Sequence, residues 1–157
     1  MNTIQAKTLA IKLMKDNTLD EWKFEFDYAV NRFGCCKISK KLITLSKALV
    51  ELNDESQVRD TILHEIAHAL VGKGHGHDFA WKAKAQQIGC APSRCYTSDV
   101  IQPKAKYQTE CPNCHRMHTA NRKRRKIACG RCCKEFNKGR WSKKYILKYK
   151  NYEEGGI

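Results

Sequence analysis

Between Val58 and Val71, apolar side chains fall on nearly every face of a helical repeat: Val58, Ile62, Leu63, Ile66, Ala67, Leu70 and Val71. A helix patterned this way has to be buried, so it sits at the centre of whatever core the chain builds. Yet it carries His64, Glu65 and His68 in its middle. Burying three polar side chains without partners is costly, and one bound metal ion accounts for all three. His64 and His68 are four residues apart, on one face and one turn apart, so both imidazoles can bind a single zinc ion. Glu65 lies beside the first histidine, close enough to reach a metal-bound water without ligating the metal itself. Zinc lowers the pKa of that water to about 7, and a carboxylate can take its proton as it attacks a carbonyl. A catalytic zinc takes three protein ligands and keeps one position open. His75 is the expected third ligand, because Gly72 and Gly74 let the chain turn back towards the helix. His77 competes for that place, but beside the helix cap expected at Asp78 it reads as a surface or substrate-side residue.

The surrounding sequence supplies an α+β frame. Ile4, Leu9, Ile11, Leu13 and Met14 among lysines predict an amphipathic helix over 3–15. Trp22-Lys23-Phe24-Glu25-Phe26 alternates strictly and predicts a strand with one buried face. Cys35 to Ile38 and Leu42 to Leu45 predict two further strands of the same sheet, and 46–52 a short helix. Asp54 is placed to cap the buried helix, with Gln57 three residues on to complete a capping box. A further helix begins at Asp78, with Phe79, Trp81 and Ile88 as expected anchors. The stretch 91–106, with Pro92, Ser93 and Pro103, reads as a connection.

A second constellation follows. Cys111-Pro112-Asn113-Cys114 and Cys129-Gly130-Arg131-Cys132 are two Cys-x-x-Cys knuckles, the spacing of a closed tetrahedral zinc site. So small a segment has little core of its own, and the metal would supply much of its stability. Cys133 reads as a bystander, and Cys35, Cys36, Cys90 and Cys95 as packing residues. The charge is uneven: residues 1–103 hold 14 Lys+Arg against 12 Asp+Glu, whereas 104–157 hold 16 against 4. Arg122, Lys123, Arg124, Arg125 and Lys126 form an unbroken run between the knuckles. Such clustering is the electrostatic footprint of a nucleic-acid binder. Trp141, Tyr145, Tyr149 and Tyr152 are interleaved with later lysines and arginines, where they can stack on bases or cover the ribbon. Nothing resembles a base-reading helix, so low sequence specificity is expected on single- or double-stranded DNA.

Thr61-Ile62-Leu63-His64-Glu65-Ile66-Ala67-His68-Ala69-Leu70, followed by Gly74-His75-Gly76-His77-Asp78-Phe79, resembles the SprT-like metalloprotease domain. So do Trp22 to Ala29, Arg32-Phe33-Gly34 and Ile43 to Ser46. The resemblance implies a zincin-like core, helices packed on a short β-sheet, over 1–103, followed by a β-rich four-cysteine zinc ribbon over 104–157. It implies zinc held by His64, His68 and the histidine of the Gly-His-Gly turn, His75, with Glu65 catalytic. The family includes Spartan, which cleaves proteins crosslinked to DNA.

The expected function is therefore a zinc endopeptidase with two zinc ions, one catalytic and one structural, acting on protein substrates, including DNA-bound ones. An adaptor with an inactive protease-like core is the alternative, and the intact Glu65 speaks against it. No apolar run approaches the roughly 20 residues needed to span a membrane, and the first residues carry no secretory pattern. A monomer in the cytoplasm, nucleoid or nucleus is expected.

Overall fold

Asn2 starts the first helix: its side chain accepts from the Gln5 amide at 2.8 Å, and Gln5 Oε1 accepts from the Asn2 amide at 3.3 Å. This reciprocal box satisfies two of the amides a helix start leaves bare. The helix, α1 (Thr3–Asp16), buries Ala6, Ala10, Leu13 and Met14 as one stripe. The structure, a computed structural model, describes residues 1–91 and 100–151; Pro92, Ser93, Cys95 and Tyr152 lie outside the described residues. The chain divides into two compact units, Met1–Pro103 and Lys104–Ile157.

In the first unit, strands β1 (Lys23–Asp27), β2 (Gly34–Lys37) and β3 (Leu42–Ser46) form a sheet in the order β1-β3-β2. β3 pairs parallel with β1 and antiparallel with β2. As the central strand it is buried at every residue, which requires its polar side chains to be satisfied. Thr44 Oγ1 donates to Asp27 Oδ2 at 2.8 Å, and Ser46 Oγ donates to the Ala29 carbonyl at 2.5 Å. Ser46 then caps α2 (Lys47–Leu52), accepting from the Leu49 amide. Asp54 caps α3 (Glu55–Val71) through the Gln57 amide at 2.9 Å, and Asp78 caps α4 (Phe79–Gln87) through the Trp81 amide at 3.0 Å.

α3 packs against α1, β2 and α4. Its Val58, Ile62, Leu63 and Ile66 join Phe33, Ile43, Leu45, Leu49, Val50 and Trp81 in one buried cluster. Each such side chain contributes roughly 1.5–3 kcal/mol on burial. One expected anchor is corrected: Phe79 is 87% exposed. α4 buries only Trp81 and Ala85, four residues apart, so its inner face leaves Phe79 outside. Ile88 packs against the cluster as expected.

The second unit is a three-stranded antiparallel sheet, β5-β4-β6, built from β4 (Tyr107–Glu110), β5 (Met117–Ala120) and β6 (Lys148–Asn151). A short helix, α5 (Gly130–Phe136), lies between β5 and β6 in sequence. Its buried centre is Cys111, Cys129 and Cys132, with Cys114, Tyr145 and Leu147 packed around them. No helix among the described residues is long and apolar enough to cross a membrane.

Candidate metal centres

His64 and His68 project from one face of α3, half-buried, their ring centroids 5.0 Å apart. The third histidine that the fold brings beside them is His77, where the sequence points to His75. His77 Nε2 lies 3.0 Å from His64 Nε2 and 3.3 Å from His68 Nε2. The linker explains the exchange. Gly72 and Gly74 both take positive φ, 81° and 100°, and turn the chain after α3. The following residues carry His77 to the position just before the cap of α4, where its ring meets Trp81 at 4.6 Å. His75 turns the other way: its Nδ1 bonds Asp78 Oδ2 at 2.7 Å, with its side chain 41% exposed.

His77 Nε2 can share an N–H···N hydrogen bond with one helix imidazole but not satisfy both at once, whereas a shared metal ion would satisfy all three nitrogens. Burial, then the neighbouring histidines, lowers the pKa of His64 to about 4, and burial with His77 does the same for His68. His64 and His68 are therefore neutral at pH 7, the form that binds metal. Tetrahedral nitrogen ligands about 2.0–2.1 Å from a zinc ion stand roughly 3.3 Å from each other. The spacing observed fits that donor set. Trp81, wholly buried, backs the rings at 4.6 Å from His64 and 5.2 Å from His68.

Glu65 is on the same helix but turned towards β2. It is only 6% exposed, and that burial raises its pKa to about 7 against the pull of the Cys36 amide and Arg32. The Cys36 backbone N–H donates to its carboxylate. Arg32 is itself held by Asp27 at 2.8 Å, and Asp27 also accepts from the Ala29 amide and Thr44. Burial likewise raises the Cys36 and Cys90 thiols to about 12, so both are protonated packing residues, not nucleophiles.

In the second unit, Cys111, Cys114, Cys129 and Cys132 bring their sulfurs together. Cys111 Sγ is 3.7 Å from Cys132 Sγ, and Cys114 Sγ is 3.8 Å from Cys129 Sγ. Four thiolates about 2.3 Å from a tetrahedral zinc stand roughly 3.8 Å from each other, whereas a disulfide would need about 2.05 Å. The first knuckle is the β4–β5 turn, closed by Cys111 N–H to the Arg116 carbonyl, with His115 at φ 53°. The second is the start of α5, where Cys129 is the N-cap. Asn113 Nδ2 donates to Cys132 Sγ at 3.4 Å. Cys133 stays outside the group, as do His115, paired with Glu110, and His118. With so few apolar contacts, this unit would draw much of its stability from an ion held by the four cysteines; structural zinc sites contribute roughly 10–16 kcal/mol. Cys132→Ser is expected to collapse the β4–β6 amide dispersion in NMR while the signals of the first unit persist. Retained strand signals in a metal-free variant would show that the ribbon folds without an ion.

Arg122 to Lys126 are all exposed, and the aromatics hold this run in place. Lys123 Nζ sits 4.9 Å over the Tyr107 ring, Tyr149 Oη accepts from the Arg124 amide, and Trp141 Nε1 donates to the Lys126 carbonyl at 2.9 Å. Tyr145 packs against the cysteines. Tyr145 and Tyr149 thus make contacts within the ribbon, whereas Trp141 anchors the loop through its ring nitrogen and stays 53% exposed.

Comparisons with known proteins bear on the first unit. The profile of the SprT-like family matches residues 7–101. Proteins named "Protein SprT-like" from Staphylococcus aureus strains JH9 and Newman are each 36% identical over 84 residues, 50% of this chain and 55% of theirs. The match thus spans about half the length of these relatives. Among solved structures, the metallopeptidase zymogen jannalysin of Methanocaldococcus jannaschii aligns over 60% of this chain and 85% of its own, at 18% identity and a TM-score of 0.47.

Proposed function

The chain belongs to the SprT-like family, and on that premise we propose that it is a zinc-dependent endopeptidase acting on proteins bound or crosslinked to DNA. The observation that carries the reading is the pairing of a three-histidine group with a buried glutamate on one helix. In this reading His64, His68 and His77 hold the catalytic ion and the four cysteines hold a structural one.

When bound, zinc supplies Lewis acidity, lowering the pKa of water to about 7 and polarising a carbonyl. The protein's part is placement and proton transfer. His64 and His68 keep their separation because both stand on α3, and Trp81 fixes His77 opposite them. Glu65 takes the proton of the attacking water and returns it to the departing amine. The Cys36 amide holds the carboxylate in one orientation, so little reorganisation is needed as charge moves. An inactive adaptor would have no use for a buried carboxylate at this place.

The basic loop supports this choice of substrate class. Five adjacent cations on a loop pinned by aromatics neutralise phosphates with little ordering cost, and they read no base edges. Such a ribbon would keep the peptidase on nucleic acid. The test replaces Arg122, Lys123, Arg124, Arg125 and Lys126 with glutamine. The slope of log Kd against log salt on DNA should fall by up to about 4.5, near 0.9 per lost phosphate contact. Cleavage of a DNA-bound protein should drop at least about tenfold, following the lost affinity, while a free unstructured peptide is cut as before. Equal cleavage of both substrates with an unchanged slope would make the run a solubility feature.

A further inference from the structure

β2 opens with a glycine in its paired region, which weakens a strand unless another group needs the space. Gly34 is not a residue that the backbone forces to be glycine: it is absent from the positive-φ set, which among glycines comprises Gly72, Gly74, Gly89 and Gly139. It pairs with Leu45 of β3 like any strand residue. What it lacks is room. A Cβ built on Gly34 would stand 2.5 Å from Glu65 Oε1, 2.7 Å from its Cγ and 2.9 Å from its Cδ. Nothing lies within 4 Å of such an atom at Gly72, Gly74, Gly76, Gly89, Gly130 or Gly139.

We infer that Gly34 is a positioning residue for Glu65: the missing side chain is the space in which the carboxylate stands. This rests on Glu65 being the general base of the reading above. The strand register shows how the seat is built. The Ser46 amide bonds the Phe33 carbonyl at 2.7 Å, so alternation places the Cys35–Thr44 pair in the next bonded position. The peptide groups of Gly34 and Cys36 then face away from β3, along the free edge of the sheet. There the Cys36 N–H donates to Glu65, and two residues earlier Gly34 leaves the gap the side chain fills. Glu65 is buried and packed along its length, so an added methyl cannot be absorbed by swinging the carboxylate into solvent. It must push Glu65 off its seat or open the α3–β2 contact.

The experiment is a cycle of four proteins: wild type, G34A, E65A and G34A/E65A. G34A is expected to cut an unstructured peptide with kcat reduced about 100-fold, the scale of a misplacement near 1 Å. Its KM and metal content should stay near wild type. In parallel, G34A should lower the melting temperature by roughly 4–8 °C in the wild-type background and have almost no effect in the E65A background, where the obstructing atoms are gone. If G34A alone fails to fold and G34A/E65A folds, the inference stands. Equal destabilisation in both backgrounds, failure of both to fold, or an undiminished kcat overturns it. If the wild-type protein cleaves nothing, the peptidase reading fails, and the melting cycle still decides whether Gly34 makes room for Glu65.

Discussion

His77→Ala is expected to empty the three-histidine site and abolish peptidase activity, while His75→Ala retains both metal and activity. His77 Nε2 is the atom within 3.0 and 3.3 Å of the two helix imidazoles. Without it only two protein nitrogens remain, too few for a catalytic zinc site. The metal content of the purified protein should fall by about one equivalent, the ion of that site, with the cysteine site still loaded. His75 is bonded to Asp78 at the surface, where solvent screens such pairs and they add little to stability. Its loss should leave α4 in place, because Asp78 Oδ1 still caps the Trp81 amide. Elemental analysis with a melting curve for each variant checks this. Loss of the ion from His75→Ala with retention in His77→Ala would restore the assignment made from the sequence.

The difference between the two histidines shows what the sequence can and cannot carry. His64, Glu65 and His68 were legible because helical geometry alone puts residues four apart on one face, whatever the rest of the fold does. The third ligand comes from a turn, and there the outcome depends on two glycine dihedrals and on where α4 docks. The presence of a cap at Asp78 was readable; its consequence was not. Because Asp78 Oδ2 is taken by His75, the cap holds His75 outward, and because Trp81 is buried four residues after His77, docking α4 drives His77 inward. The signal that could have identified it was that i, i+4 pairing of His77 with Trp81.

The same distinction runs through the rest of the chain. The knuckles were legible because each Cys-x-x-Cys closes its own local turn, so only their meeting had to be supplied by the fold. Helix starts at Asp54 and Asp78 were legible for the same local reason. Phe79 was misread because its apolarity says nothing about which side of a nine-residue helix will be covered. Gly34 could not be interpreted at all from its own neighbourhood, since the atoms that exclude a side chain there belong to a residue on another element.

Glu65→Gln is expected to keep the fold and both metal sites and to lower kcat by roughly 10²–10⁴-fold, the usual contribution of a positioned general base. The amide has the same length and nearly the same shape, so it fits the space beside Gly34 that admits the carboxylate. Its Oε1 can still accept the Cys36 N–H, so no buried donor is orphaned. His64, His68 and His77 are untouched, so the ion stays. What is lost is the ability to take a proton from the attacking water. Kinetics on a free peptide, a melting curve and metal analysis of one preparation separate these effects. A variant that binds metal and melts like the wild type yet still cuts at the wild-type rate would remove Glu65 from the reaction. Loss of metal with the activity would instead make Glu65 a structural support of the histidine site.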